Sequence, residues 1–470
     1  MLVAVACLLA AGGLTVVRSR LEKLQVVSVG LSLAPPTSSE EPQNILVIGT
    51  DNADRLAADD PVRHDRQTGS LLADVIMIFR IDPKAQTVSL LSIPRDTYVP
   101  IAPTGRKSKI NSAMGGPNGP QHLIDTIKQN FGLSIEHYIE LDFRGFRDLV
   151  DVLGGVPVYL SHPVRDRNTH LMIEQTGCVT LDPVQALAYA RSRHLEYQVD
   201  GKWRTDPTGD LGRISRQQDF IRRAGQRAID KGLRNPSSAL SLVSAATKTV
   251  TLDDTLTAGD ILDITKQYRS FNLDALEKYQ LPTQGAGNAS FSYQTVVWPE
   301  AEPILDVFRG IKEGEPTEVR SVMVSVAGPA DMAKRASQQL EGVGFDADVD
   351  EGTTSDGRRT VVRYGDKGAE AAALVARHVD DEVQFEHDPS LVGRRVELEL
   401  GRRFAGILEQ PKDAAAVPVP TTPDAPSTTV LARNTTTTAP GQQPEEPTVT
   451  TTTVIGVVPV DSAAAAACTG

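Results

Sequence analysis

Three short apolar segments in the first hundred residues constrain the fold most strongly. Residues 44–51 (NILVIGTD), 75–81 (VIMIFRI) and 87–93 (TVSLLSI) are continuous runs rich in Val, Ile and Leu, as is typical of buried β-strands. The sequence Asp-Pro-Lys at 82–84 separates the second run from the third and is a strong turn signal. The segments therefore predict a β-hairpin beside another buried strand.

Helical patterns alternate with further strands downstream. Residues 119–131 and 142–153 have helical patterns, and a strand is predicted at 156–160. Asp182 and Pro183 mark another helix start, because Asp caps free amide groups and Pro fits the first helical position. Strands and helices joined by both hairpins and crossovers predict an α/β or α+β sandwich.

Composition divides the chain into regions with different physical character. Residues 2–17 are apolar and uncharged but shorter than the roughly 20 residues that span a bilayer, so a signal-peptide core and a signal anchor both stay open. The Thr-, Pro- and Ala-rich end of the chain cannot bury enough apolar surface to fold, so it is predicted to be disordered. The predicted regions are an anchor or signal segment at 1–20, a spacer at 21–43, a large domain at 44–310, a small α/β domain at 317–408 and a tail at 409–470.

Charge and cysteine content narrow the class of protein. The net charge of −12 argues against a nucleic-acid-binding protein, which would rely on phosphate contacts. The spacing of the three cysteines does not suggest a metal site. A Cys178–Cys468 disulfide is possible by count but is not expected, because Cys468 lies in the tail that is predicted to be disordered.

A cluster of basic residues stands out against the acidic composition. Residues 187–227 contain nine Lys or Arg residues, several of them on a helix predicted at 213–233. Residues three and four apart share a helix face, and guanidinium groups match phosphate oxygens in two-point contacts. Convergent arginines repel one another unless an anion neutralises them, which indicates an anionic ligand. The candidates on these grounds are Arg191, Arg193 and Arg213. Arg216 and Gln217 share the helix face of Arg213, and the alternative for such a face is a solvated surface with scattered ion pairs.

Carboxylates follow or begin the predicted strands of the large domain. Asp51 ends one strand, Asp74 begins the next, and Asp96 follows the third. Side chains at strand ends gather at one edge of a sheet, where ligands often bind. Two carboxylates beside an arginine cluster suit a divalent cation that bridges them to a pyrophosphate, although each Asp taken alone is more often a cap or turn residue.

These features together resemble the LytR-CpsA-Psr family of cell-wall glycopolymer transferases. The similarity covers roughly residues 44–230, and residues 317–408 resemble the C-terminal companion domain of many actinobacterial members. The matching segments, in order, are NILVIGTD (44–51), ADVIMIFRID (73–82), LLSIPRDTYV (90–99), KINSAM (109–114), LDFRGFRDLVDVLGGVPV (141–158), LDPVQALAYARSRH (181–194) and GDLGRISRQQDFI (209–221).

The resemblance implies a specific fold and activity. Family members have an α/β sandwich around a central mixed sheet, with an apolar tunnel for a polyprenyl chain, and they are single-pass membrane proteins with an extracytoplasmic catalytic domain. They use Mg²⁺ (or Mn²⁺) to transfer a glycopolymer from a polyprenyl-pyrophosphate donor to a peptidoglycan acceptor. By motif position, the expected catalytic residues are Asp74, Arg95 and Asp96, the expected pyrophosphate-binding residues are Arg95, Lys109, Arg191, Arg193, Arg213 and Gln217, and the expected metal ligands are Asp51 and Asp74.

One position departs from the family pattern. Leu72 stands where members of the family typically carry an Arg two residues before the metal-site Asp. We expect this contact to be missing or to come from Arg63 or Arg66.

The same resemblance leaves two other functions open. One is a pyrophosphatase that hydrolyses the lipid pyrophosphate, and the other is a non-catalytic wall-binding or regulatory protein. Retention of the charged site residues argues against the latter.

Overall fold

The computed structural model describes residues 25–29, 32–34, 40–64, 71–234, 250–256, 260, 275–288, 290–311, 317, 319–350, 359–421 and 468. The segment at 1–20 that was predicted to be an anchor or signal lies outside these ranges, as do parts of the predicted spacer and tail. Across the described ranges, no helix combines the length and apolar character needed to cross a membrane.

The larger unit contains the predicted strands and helices and several short strands that the pattern did not indicate. Its described strands are β1 (Gln25–Val27), β2 (Gln43–Thr50), β3 (Ala73–Asp82), β4 (Thr87–Ile93), β5 (Tyr98–Ile101), β6 (Arg106–Lys109), β7 (His137–Leu141), β8 (Val156–Leu160), β9 (Val164–Asp166), β10 (Leu171–Ile173), β11 (Gly177–Leu181), β12 (Glu196–Val199), β13 (Lys202–Thr205), β14 (Val250–Asp253), β15 (Glu277–Gln280), β16 (Thr283–Gly287) and β17 (Ser292–Val296). Its described helices are α1 (Pro61–His64), α2 (Gly119–Phe131), α3 (Phe143–Val152), α4 (Pro183–Arg191), α5 (Gly209–Arg234) and α6 (Trp298–Arg309).

A mixed sheet forms the centre of this unit. Among the described residues, seven strands pair in the order β1-β14-β7-β2-β3-β4-β15, with β2 antiparallel to β3 and parallel to β7. Successive side chains of a strand point to opposite faces, so Ile45 and Val47 enter one core while Leu46 and Ile48 enter the other. Helices α3, α4 and α5 cover the first face, and α2 and α6 cover the second. The predicted α/β sandwich around a central mixed sheet is confirmed.

The smaller unit has its own sheet and core. Within the described ranges, its strands are β18 (Met323–Ala327), β19 (Asp346–Val349), β20 (Thr360–Tyr364), β21 (Val383–His387) and β22 (Arg395–Glu399), and its helices are α7 (Ala330–Val343) and α8 (Ala369–His378). The strands pair in the order β19-β18-β22-β20-β21 around a separate apolar cluster. Strand β21 was not predicted, because this edge strand is half exposed and alternates polar with apolar residues instead of forming an apolar run.

A buried ion pair joins the two units. The Nζ atom of Lys128, on α2, lies 2.8 Å from Oδ1 of Asp346 at the start of β19, and the Ser134 hydroxyl donates to the other oxygen at 2.9 Å. Burial lowers the pKa of Lys128, but the attraction of Asp346 and Asp348 outweighs it, so the pKa lies above its ordinary value of 10.5. The Lys128 ammonium group is therefore charged, and it contacts both carboxylates at the interface between the two units.

The expectation that Cys178 and Cys468 would stay apart was wrong. Cys178 lies on β11, and its sulfur is bonded to that of Cys468, 290 positions further along the sequence. Cys468 is buried, although it lies within the region whose composition predicted disorder. Composition describes the average behaviour of a segment and gives no information on one covalent attachment point within it.

Removal of the buried lysine should destabilise the protein. We expect Lys128→Ala to lower the free energy of unfolding by about 3–5 kcal/mol, since the carboxylate of Asp346 would stay buried without its cation. Chemical denaturation measures the change, and Lys84→Ala, in an exposed turn, is the matched control. The double variant Lys128→Ala with Asp346→Ala should lower the free energy of unfolding by clearly less than the two single variants do in sum. Strict additivity would contradict the proposed pairing.

Candidate functional site

The strand order brings the three predicted carboxylates to one edge of the central sheet. Because β2 and β4 both run antiparallel to β3, their C-terminal ends lie beside the start of β3. Asp51 follows β2, Asp74 is the second residue of β3, and Asp96 lies three residues beyond β4. The backbone amide of Leu72 donates to Oδ1 of Asp51 at 3.0 Å, which fixes the Asp51 side chain beside the start of β3.

A cavity of about 260 Å³ opens at this edge. One part of its wall is apolar and comes from the core beneath α3, α4 and α5, including Phe146, Leu187 and Phe220. The other part is charged. The predicted site residues that line it are Asp74, Arg95, Arg191, Arg193, Arg213 and Gln217.

Two further predicted residues, Asp96 and Lys109, adjoin the cavity through ionic contacts, while Asp51 is not among the lining residues. The guanidinium group of Arg95 contacts the carboxylate of Asp74. The Asp96 carboxylate lies 2.9 Å from Nζ of Lys109, 3.4 Å from a guanidinium nitrogen of Arg193 and 3.8 Å from Nε of Arg95. Asp96 and Lys109 therefore connect the cavity wall to the neighbouring surface, outside the cavity itself.

Helix α4 positions Arg191 through its well-defined start. The Asp182 side chain accepts hydrogen bonds from the amides of Val184 and Gln185, both at 2.8 Å, and Gln185 reaches back to complete a capping box. Arg191 falls in the last turn of the helix, where its guanidinium lies 4.8 Å from the centroid of the Phe143 ring. The predicted helix start thus sets the position of a cavity residue nine positions later.

A residue that the sequence did not single out, Asp166, holds the loop that carries Arg193. Its carboxylate accepts hydrogen bonds from the Ser192 hydroxyl at 2.6 Å and from the amides of Arg193 and His194 at 3.1 and 2.9 Å. Burial raises the pKa of Asp166, but these hydrogen bonds and one from the Asn168 amide outweigh it and hold the pKa below 3.8. A lone Asp in a polar segment gives no sequence signal of this role.

The predicted face of α5 divides between two tasks. Arg213 and Gln217 line the cavity, and Gln217 also donates to the Ala190 carbonyl at 2.8 Å. Arg216 does not belong to the lining. It donates to the Ser192 carbonyl at 2.6 Å and pairs with Asp206 at 3.0 Å, so it supports the same loop from the other side.

The segment at 195–208, for which no strand was predicted, contains the hairpin β12–β13. Its turn consists of Asp200 and Gly201, both with positive φ angles of 51° and 72°. Asp-Gly is a favoured two-residue hairpin turn, so this signal was present in the sequence and was missed.

Two residues, Arg63 and Arg66, are the candidates for replacing the missing family Arg. Arg63 donates to the Leu56 carbonyl of its own loop at 2.9 Å and is not a lining residue. Arg66 lies outside the described residues. The loss of a contact at Leu72 therefore stays a prediction.

The residues predicted to hold a metal fit a magnesium ion only together with a phosphate ligand. In the part of the chain that the structure describes, His, Cys, Asp and Glu residues form no group of three that could hold a metal. Asp51 and Asp74 offer hard carboxylate oxygens at one sheet edge, beside the arginine-lined wall. Mg²⁺ is commonly bound by one or two carboxylates, with substrate phosphates and water completing the octahedron.

Replacing Asp166 should destabilise the protein at neutral pH and remove one contribution to the pH dependence of its stability. We expect Asp166→Asn to lower the free energy of unfolding at pH 7 by roughly 2–3 kcal/mol, because an amide oxygen cannot accept all these hydrogen bonds. The folded-state pKa is depressed, so the contribution is present above pH 3.8 and is lost as the pH falls through the folded-state pKa. Thermal melting of the wild type, Asp166→Asn and the exposed control Asp59→Asn between pH 3 and 7 measures this. A difference that did not shrink at low pH would contradict it.

Two family models match most of the chain, one for each unit. A model of the LytR_cpsA_psr family matches residues 17–307, and one described as LytR cell envelope-related transcriptional attenuator matches residues 325–404. The polyisoprenyl-teichoic acid–peptidoglycan teichoic acid transferase TagU of Bacillus mycoides is 32% identical over 250 residues, which cover 53% of this chain and 71% of the relative. The probable cell wall biosynthesis protein LcpB of Corynebacterium glutamicum is 33% identical over 214 residues, 45% of this chain and 48% of the relative.

Among solved structures, the LytR-Csp2A-Psr enzyme from Actinomyces oris is 26% identical, with a TM-score of 0.46, and the alignment covers 61% of this chain and 95% of that one. Since the first family model matches well over half of the sequence, the chain belongs to the LytR-CpsA-Psr family.

Proposed function

We propose that this protein is a phosphotransferase that moves a glycopolymer from a polyprenyl-pyrophosphate donor onto peptidoglycan. The observation that carries the proposal is the two-part wall of the cavity. An apolar surface under α3, α4 and α5 suits a polyprenyl chain, and the arginines beside it suit the pyrophosphate of the same molecule. The name of the Bacillus mycoides relative describes a polyisoprenyl-linked donor and a peptidoglycan acceptor, which supports this choice.

The reaction joins an acceptor hydroxyl to the phosphorus that carries the glycopolymer. The bond from this phosphorus to the bridging oxygen breaks, polyprenyl phosphate leaves with the electron pair, and the hydroxyl proton passes to a nearby base. Arg95, Arg193 and Arg213 line the place where charge develops on the leaving phosphate, and such pre-positioned charges provide most of the catalysis in phosphoryl transfer. Asp74 and Asp96 are the candidates for orienting or deprotonating the acceptor hydroxyl.

A divalent cation belongs to this proposal. Asp51 and Asp74 would hold Mg²⁺ (or Mn²⁺), which would neutralise pyrophosphate oxygens and make the leaving group better. Gln217, in the cavity wall, would complete the pyrophosphate-binding set, whereas Lys109 lies outside the cavity, where it pairs with Asp96.

We further propose a single-pass membrane protein with an extracytoplasmic catalytic domain. The substrates of the named relatives belong to the cell wall. The Cys178–Cys468 disulfide supports this location, because disulfides persist mainly in oxidising compartments outside the cytoplasm. The smaller unit, docked on the side of the sheet away from the cavity, would have a binding or spacing role.

The proposal predicts a metal-dependent release of lipid phosphate that depends on the cavity residues. The full chain, a polyprenyl pyrophosphate bearing a short glycan, and soluble peptidoglycan glycan strands are combined with Mg²⁺ or with a chelator. We expect Arg95→Ala and Asp74→Ala each to lower kcat/KM by roughly 10²–10³, as for removal of one charge-stabilising group. Arg144→Ala, on the exposed face of α3 with Asp148 as its partner, is the matched control and should stay near the wild type.

The products separate transfer from hydrolysis. Glycan covalently attached to the acceptor supports the transferase, whereas lipid phosphate released at the same rate without acceptor, and no attached glycan, would identify a pyrophosphatase. Binding of the donor with no turnover in either assay would favour a non-catalytic protein.

A further inference from the structure

Three aromatic side chains form a surface cluster beside the site, outside the cavity. Tyr98 on β5 lies 4.5 Å from Tyr293 and 5.8 Å from Phe291, measured between ring centroids, and the rings of Phe291 and Tyr293 are 5.5 Å apart. Phe291 is 46% exposed to solvent although it is a large apolar residue. We name this cluster of Tyr98, Phe291 and Tyr293 the aromatic platform.

The turn between β16 and β17 holds Phe291 in this exposed position. Gly287 has a φ angle of +95°, and a Cβ atom there would lie 2.0 Å from the Phe291 carbonyl oxygen. The side-chain oxygen of Asn288 accepts hydrogen bonds from the backbone amides of Ser290 and Phe291 at 2.9 and 3.0 Å. The backbone amide of Asn288 donates to the Phe291 carbonyl at 3.0 Å. These contacts hold the backbone of Phe291 in place.

The platform is connected directly to the candidate catalytic residues. The amide of Gln294, on β17, donates to the Asp96 carbonyl at 2.9 Å. Nζ of Lys109 lies 5.6 Å from the centroid of the Phe291 ring and 2.9 Å from the Asp96 carboxylate, which in turn contacts Arg193. One short series of contacts thus leads from the arginine-lined wall through Asp96 and Lys109 to the exposed ring.

We propose that the aromatic platform binds a sugar ring of the acceptor glycan, which places an acceptor hydroxyl next to Asp96. This rests on the proposed transferase function and assigns its acceptor subsite. Aromatic faces pack against the apolar faces of sugar rings, while Lys109 and Asp96 offer a donor and an acceptor for the hydroxyl groups at the ring edge.

Other occupants fit the platform less well. The polyprenyl chain has an apolar surface of its own inside the cavity, and the platform residues are not part of that lining. Stacked nucleotides would need a strongly basic surface, whereas this chain has a net charge of −12. A neutral ring rich in hydroxyl groups matches both the exposed aromatic face and the paired charges beside it.

Acceptor kinetics of Phe291→Ala in the full chain test the assignment. We expect the KM for soluble peptidoglycan glycan strands to rise about tenfold, with the KM for the polyprenyl-pyrophosphate donor and the acceptor-independent release of lipid phosphate within twofold of the wild type. Phe291→Trp should restore the acceptor KM, because it keeps an aromatic face. Trp298→Ala, which removes another exposed aromatic residue of the same unit, is the control, and thermal melting of each variant monitors folding.

Two outcomes would overturn the inference. An unchanged acceptor KM in Phe291→Ala would exclude a subsite on the platform. A higher donor KM with an unchanged acceptor KM would place the donor's sugar there instead.

Failure of the proposed function would be recognised separately. If the wild type transfers nothing, titration calorimetry with glycan strands alone still decides: tight binding by the wild type that weakens about tenfold in Phe291→Ala supports the platform, and equal or absent binding overturns it.

Discussion

Burial of β2, β3 and β4 on both faces is the constraint on which the site depends. Each strand sends alternate side chains into two separate cores, so a slip of one residue would exchange the two sets. The register is therefore strongly specified by packing alone. Because the three strands are antiparallel neighbours, that register also brings Arg95 into contact with Asp74 and places Asp51 beside the start of β3. The geometry of the charged edge is a consequence of apolar packing beneath it.

The second half of the site is assembled differently, around a buried carboxylate. Asp166 accepts from the side chain and backbone of the 192–194 segment, and Arg216 contacts the same segment from α5. Cationic side chains that converge on one cavity repel one another, and a rigid, hydrogen-bonded support offsets this cost. The segment that carries Arg193 is thus held in place by Asp166 and Arg216.

What the sequence could predict depends on how far apart the interacting residues lie along the chain. Strands, helix starts and the arginine cluster depend on neighbours within a few residues, so the hairpin β3–β4 and the cap at Asp182 were predicted correctly. Asp166 acts across 26 to 28 positions and Cys178 across 290, and no local pattern encodes such partners. The exposed ring of Phe291 lies beside Lys109 only because strands far apart in the sequence pair, so the sequence did not indicate this contact.

The bond between Cys178 and Cys468 closes the chain from 178 to 468, including the smaller unit, into a single covalent ring. A protease that cut this ring once would leave both pieces attached to the catalytic unit. Shedding the smaller unit would require a second event, either another cut or reduction of the disulfide. Neither proteolysis at one site nor a reductant alone therefore separates the smaller unit from the catalytic unit.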